Sequence, residues 1–261
     1  MSADYLIKKR SNTLKVLLGL GFLSLAAAFI TEYDPVTGLI SGLDALRWVA
    51  TNFYPNEQSL TRLPSIINRL RETVLMSIAA TTVAAFSATF FALLGAQTTK
   101  VNDALRLMSR SVASFLRNIP AVAWAMILLF TFGQSSLTGF LALFFSTFGF
   151  LTRVFMETFD ETTASSIEAL TATGASYMQI IFQAVLPASL PQMISWMLYM
   201  VETNIRDATL LGILTGTGIG FSFALFYKSM NYHAASLVVI VIVVTILVIE
   251  YISNHIRRVI L

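Results

Sequence analysis

The chain has 261 residues, of which 56% are hydrophobic and only 12% charged, and its mean hydropathy is +0.74. That balance excludes an ordinary soluble domain and fits a multi-spanning membrane protein. With no cysteine there is no disulfide framework, thiolate nucleophile or cysteine-based zinc site; the net charge of +3 is read as the gathering of Lys and Arg on cytoplasmic loops, not as the mark of a nucleic-acid partner.

A spanning helix needs about 20 mostly apolar residues, and charge-free intervals of that order predict six spans. The first runs from about Val16 to Thr31, behind Lys8, Lys9, Arg10 and Lys15, which place the N-terminus in the cytoplasm. The basic head, apolar core and Ala26-Ala27-Ala28 step also fit a cleavable signal peptide, but nothing downstream looks secreted and soluble, so an uncleaved span is favoured. Residues 32–72 form an external loop with two amphipathic patterns. Leu39, Leu43, Leu46, Ala50 and Phe53 make one; Leu63, Ile66, Ile67 and Leu70, after the helix-starting Pro64, make the other. Both suit interfacial helices, and simple packing on neighbouring helices explains them equally well.

The second span covers Thr73 to about Gln97 and leads to a cytoplasmic joint carrying Lys100, Arg106 and Arg110. No charge occurs between Arg117 and Arg153, an interval too long for one crossing. It predicts a hairpin of spans near 113–132 and 137–157 that turns at Gly133-Gln134-Ser135-Ser136. Pro120 is expected to kink the third span. The fifth span is placed at about 188–212 and the sixth at about Ala234 to Ile249, ending at Glu250, His255, Arg257 and Arg258, with the C-terminus cytoplasmic. The chain thus divides into 1–31 (N-terminus and first span), 32–72 (external loop) and 73–261, a core of five spans that includes a cytoplasmic loop at 158–187.

That loop carries Ser165-x-x-Glu168 and, eleven residues on, Ser176-x-x-Gln179, two capping-box patterns. Gly174 lies between them, where a left-handed residue would end the first helix. In the second helix Met178, Ile181, Phe182 and Val185 form one apolar stripe before Leu186-Pro187 closes it. Two sets of polar caps have no use inside a bilayer, so the unit is expected along the cytoplasmic surface, presenting a face to a partner; an ordinary amphipathic re-entry helix is the plainer alternative.

Glu202, Arg206 and Asp207 interrupt the fifth span. Charges at mid-bilayer cost about 2.5–3.5 kcal/mol on insertion scales and usually face a bundle interior or an aqueous path. Glu202 and Arg206, four residues apart, can also pair on one helix face as a structural bridge, and both readings stand. Arg206 with Asn204 could serve an anionic cargo, whereas Asp207 counts against a simple anion site. Gly212, Gly216 and Gly220 follow at four-residue spacing, with Gly218 between. They suit close helix packing or an unwound segment lining a cavity. A phosphate-binding loop is rejected, because no strand precedes the glycines. His233 and His255 are the only histidines, and neither H-E-x-x-H nor G-x-S-x-G occurs, so no catalytic or metal site is expected.

The Glu168-Ala169 pair, Gly174 and the Leu186-Pro187 close resemble the cytoplasmic loop of ATP-binding-cassette importer permeases. "FLRNIPAVAWAMILLF" (115–130), "EALTATGAS" (168–176), "AVLPASLPQ" (184–192), "ETNIRDATLLGILTGTGIGF" (202–221) and "NYHAASLVVIVIVV" (231–244) are similar, in order and spacing, to the membrane subunit of phosphonate-type importers. The resemblance covers roughly residues 70–261. It implies an all-α polytopic membrane protein of the type I importer fold in a bacterial inner membrane. It also implies a homodimer, two ATPase subunits, an extracytoplasmic substrate-binding protein and surrounding lipid, with ATP and Mg on the ATPases and no cofactor in this chain. On it, Ser165, Glu168, Ala169, Gly174, Ala175, Ser176, Leu186 and Pro187 are expected to couple to the ATPase. Arg117, Pro120, Trp196, Tyr199, Glu202, Asn204, Arg206, Asp207, Gly216, Gly218 and Gly220 are expected on the path or gate. The alternatives are import of another small solute, such as an amino acid, and a non-transport membrane protein, including an ion channel or a scaffold; neither of these last two explains the doubly capped unit.

Overall fold

A computed structural model describes residues 3–260 and, within them, all side chains except those of residues 3–9, 11, 35 and 39. The expectations that name Lys8, Lys9 and Leu39 therefore fall on side chains outside the described residues. The chain separates into two units, Met1–Tyr54 and Pro55–Leu261.

In the first unit, α1 (Ala3–Ile30) is uninterrupted and apolar from Asn12 onward. The chain turns at Glu32, whose φ is +53°, and α2 (Pro35–Asn52) starts on Asp34. The Asp34 carboxylate accepts the Thr37 hydroxyl at 2.5 Å and the Val36 N–H at 2.9 Å. These bonds hold its carboxyl below the usual range. Pro35 fits the first turn because an N–H there has no partner in any helix.

The second unit begins with a short helix, α3 (Glu57–Leu60), closed by reciprocal bonds between Asn56 and Ser59 of 2.8 and 2.9 Å. Next, α4 (Leu63–Gly95) runs for 33 residues without a break. The Leu63–Leu70 pattern is thus the start of α4 rather than a separate interfacial helix, and the boundary drawn at residue 72 falls inside it. Nothing after Pro64 stops the helix, and Arg69 bridges Glu72 at 3.1 Å across the supposed joint. Ala80, Ala84, Ala88 and Ala92, all fully buried, give α4 a four-residue stripe of small side chains on which α7 closes.

Asn102 caps α5 (Asp103–Arg117) through the Leu105 N–H at 2.7 Å. After Asn118-Ile119-Pro120 the chain resumes as α6 (Ala121–Phe132), turned by 89°. The third span is therefore a right-angled pair and not one kinked helix. Pro120 donates no hydrogen bond and disfavours helical geometry at Ile119, so it ends one helix and opens another. α7 (Ser136–Ala172), capped by Ser135, has 37 residues and runs well past the expected end of span four at 157. It is followed by α8 (Tyr177–Ile180), a π turn (Ile181–Val185) and α9 (Leu186–Thr215), which form one 39-residue stretch. α10 (Gly218–Lys228) and α11 (Tyr232–Ile260) complete the chain.

Among the described residues, five helices are long and apolar enough to cross a membrane, and the bent α5–α6 pair makes a sixth crossing if counted as one. The main core joins the alanine face of α4 to Phe155, Met156 and Phe159 of α7 and to Ile181, Val185 and Met193.

Candidate functional site

The segment expected to form two capped helices is one helix end followed by a fresh start. Ser165 and Glu168 are exposed residues in the body of α7 and open no helix, because no breaker separates Glu157 from Thr173. The break falls at Gly174, φ +80°. Ala175 N–H donates to the Leu170 carbonyl (3.1 Å) and Gly174 N–H to that of Thr171 (3.0 Å), the paired bonds of a Schellman end. Two residues later the Gln179 side-chain oxygen accepts from the Ser176 N–H at 2.7 Å, as the sequence pattern predicted.

Leu186-Pro187 does not end the second helix. Pro187 removes one N–H, and the chain accommodates it with the π turn, in which the Leu186 N–H bonds to the Ile181 carbonyl. The expected stripe divides accordingly. Ile181 and Val185 are buried in the core, while Met178 and Phe182 stand 64% and 66% exposed. With Ala169, Gly174, Ser176 and Pro187 also exposed, the unit offers an outward face with two large apolar side chains at its centre. A groove of about 570 Å³ between α7 and the start of α9, floored by Ala169, Ala184 and Pro187, adjoins it.

Two ties missed in the sequence hold this unit to the bundle. The Tyr177 hydroxyl donates to the Thr99 carbonyl at 2.9 Å. Asp160 of α7 accepts from the Gln97 and Thr98 N–H groups (3.1 and 2.9 Å) and from the Thr98 hydroxyl (2.9 Å). The α4–α5 connection is thereby clamped from both sides of the Gly174 break. An acid followed by threonines is too common a pattern to have signalled this.

On α9, Glu202 is 8% exposed and pairs with Arg206 on the same helix, as the four-residue spacing predicted. It also lies 3.9 Å from the Arg257 guanidinium of α11, a partner that spacing along α9 cannot reveal. Asp207 is partly exposed and has neither a hydrogen bond nor a salt bridge among the described residues. Trp196 and Tyr199 stack edge-on (5.9 Å, 87°) and both meet Phe150 of α7 at about 6 Å.

Asn204, expected beside Arg206 on a path, is instead buried (1% exposed) between three helices. Its side-chain amide donates to the hydroxyls of Thr81 on α4 and Thr147 on α7, both at 2.8 Å, while its backbone carbonyl accepts from the Ser77 hydroxyl at 3.2 Å. On α9, positions 202 and 206 share a face that 204 does not; Asn204 serves as a polar node that fixes the register of α4, α7 and α9.

Gly216 and Gly218 have φ of +70° and +61° and form the turn from α9 into α10. A Cβ on Gly218 would strike the Thr73 hydroxyl, which accepts the Ile219 N–H at 2.9 Å. A Cβ on Gly220 would strike the Thr209 carbonyl. Gly220 thus lies tight against α9 and Gly218 against α4, with Gly216 beside Gln134. Arg117 and Pro120 stand at the α5–α6 corner, where Arg117 shares a cavity with Arg110 and Arg153. Among the described residues, no cluster of His, Cys, Asp and Glu could hold a metal.

The family described as binding-protein-dependent transport system inner membrane component matches residues 88–260. The chain belongs to this family. It is thus a multi-pass inner-membrane permease, the membrane component of a transport system.

The phosphate-import permease protein of Mycolicibacterium smegmatis is 31% identical over 91% of this permease; the chain spans only 44% of that relative's length. The phosphite transport system permease protein of Stutzerimonas stutzeri is 28% identical over 94% of this chain and 88% of its own. Among solved structures, an inward-facing methionine ABC transporter matches with a TM-score of 0.68 at 18% identity, over 79% of this permease and 99% of that chain. This places the fold among ABC importer membrane subunits, the type I architecture.

Proposed function

We propose that this permease forms the membrane path of an ATP-driven importer for phosphonate or a related phosphorus oxyanion, phosphite or phosphate. The observation that carries the substrate class is the similarity, along nearly the whole chain, to permeases named for phosphate and phosphite transport. Two copies of the chain enclose the path, a substrate-binding protein delivers cargo from outside, and both termini are cytoplasmic, consistent with Lys8, Lys9 and Arg10 at one end and Arg257 and Arg258 at the other. The chain itself hydrolyses nothing. ATP and Mg are held by two partner ATPases that seat on the face around Gly174, Met178 and Phe182.

The mechanism is mechanical. Closure of the ATPases on ATP pushes the segment after Gly174; Tyr177 and Asp160 pass that displacement to the α4–α5 connection, while the unbroken 177–215 stretch carries it to the α9–α10 turn. Trp196, Tyr199, Arg206 and Asp207 line the path, and Gly216, Gly218 and Gly220 hinge its outer closure.

Uptake of phosphonate, phosphite and phosphate into vesicles holding this permease, its ATPase and its binding protein tests the cargo; no uptake of any of them refutes the substrate class. Gly174→Val tests the docking face. It forces a β-branched residue into a left-handed conformation at the break, so loss of ATPase assembly and of transport-stimulated hydrolysis is expected, and retention of both refutes the assignment.

A further inference from the structure

We infer that Arg110, Arg117 and Arg153 form a binding site for a tetrahedral phosphorus oxyanion at the junction of α5 and α7. The three arginines line one cavity of about 230 Å³, together with Ser114 and Asn118. Residues 110, 113, 114, 117 and 118 repeat at helical spacing, so α5 turns a single face to the cavity. Arg153 closes it from α7.

The two helices meet closely enough for this because position 149 is glycine. A Cβ there would lie 2.5 Å from the Arg117 backbone nitrogen and 3.0 Å from the Ala113 carbonyl oxygen. The buried Ala113 beside it keeps the contact tight. The arginines are brought together by packing and not by chance overlap of long side chains.

Their charge is poorly offset. Glu157 meets Arg153 at Nε, 2.6 Å, which leaves the two terminal nitrogens of that guanidinium available. Neither Arg110 nor Arg117 forms an ion pair with any described residue. Cytoplasmic-flank bias accounts for arginines in this region, and Arg117 in the last turn of α5 complements the helix dipole. Neither effect explains why three of them converge on one hollow, where their mutual repulsion calls for an anion. Guanidiniums bind phosphate-type oxyanions through paired N–H groups, and the Ser114 hydroxyl and Asn118 amide add neutral donors. The volume is below that of pockets for drug-sized molecules and suits a small anion or a lipid headgroup.

Two occupants share this chemistry: free phosphate or phosphonate, and the phosphate of an anionic lipid. The test uses the full chain in nanodiscs of phosphatidylcholine, titrated calorimetrically with inorganic phosphate and methylphosphonate. If the occupant is a free anion, binding is saturable and weakens at least tenfold in Arg110→Gln and in Arg117→Gln, and also in Arg153→Lys, which keeps the charge but loses the fork. In discs containing phosphatidylglycerol, native mass spectrometry counts retained lipid. If the occupant is a headgroup, the wild type keeps a phosphatidylglycerol that Arg110→Gln and Arg117→Gln lose. Melting temperatures confirm that the variants are folded. If neither phosphate, methylphosphonate nor phosphatidylglycerol binds in a way that depends on these arginines, the site is overturned. The outcome is separate from the cargo: failed oxyanion uptake with arginine-dependent binding refutes the substrate class and leaves the site standing.

Discussion

Asn204→Ala separates a structural role from a path role at a position where the sequence allowed both. The side chain donates two bonds of 2.8 Å, to Thr81 and Thr147. Hydrogen bonds between helices in a bilayer contribute about 0.6 kcal/mol each on average and up to about 1.7. Two of them therefore contribute roughly 1–3.5 kcal/mol, and the emptied space of a lost amide in a site only 1% exposed adds a further fraction through missing contacts. A destabilisation of roughly 2–4 kcal/mol is expected, read as a shift in the unfolding equilibrium of the purified chain in mixed micelles titrated with a denaturing detergent. Thr147→Val leaves an amide hydrogen unsatisfied and should cost about 1 kcal/mol or more. The double variant should cost less than the sum, since both changes break the same bond. A stability unchanged within about 0.5 kcal/mol, or full additivity with Thr147→Val, refutes the node. Lost uptake at unchanged stability would return Asn204 to the path.

Glu202→Gln should destabilise the chain more than either Arg206→Gln or Arg257→Gln, because it leaves two guanidiniums facing one another without their shared carboxylate; breaking a buried pair from one side costs up to about 3–5 kcal/mol, and Arg206, nearly half exposed, brings the expectation to the lower end or beneath it. The same unfolding assay ranks the three, and a Glu202→Gln effect equal to that of Arg206→Gln with Arg257→Gln neutral would show that Glu202 serves Arg206 alone. Gly218→Ala combines a left-handed φ with a clash on Thr73 and should cost about 1–3 kcal/mol. Adding Thr73→Ala should relieve only part of that, since the Ile219 N–H then loses its acceptor; complete rescue would refute the backbone part of the explanation.

Features that depend on near neighbours in sequence were legible. Charge-free intervals found the spans, and the chemistry of Gly174, Ser176 and Gln179 located the break and restart within a residue. Ser165-x-x-Glu168 misled because a four-residue pattern does not register that the residues before it are already helical. Pro187 misled for a related reason: a proline ends a helix only if the carbonyls it orphans are not taken up otherwise, and a π turn takes them up. Contacts across the fold were not legible. Helical periodicity assigns Arg110 and Arg153 to faces of separate helices, and only the close approach at Gly149 turns those faces toward each other. Asn204 shows the same limit, since a polar residue inside a span signals that something must satisfy it without saying whether that is water, cargo or another helix.

The π turn at Ile181–Val185 also sets a rotational phase. Each residue of an α-helix advances the chain by about 100° and 1.5 Å, so the extra residue held in the turn determines which way Tyr177 and Met178 point relative to Trp196 and Glu202. Taking one residue out of the turn would restore a regular helix ahead of Pro187 and swing the segment after Gly174 through more than a quarter of a circle. The two ends of this rod are indexed to one another like gears on a shaft, and 181–185 is the key that holds them.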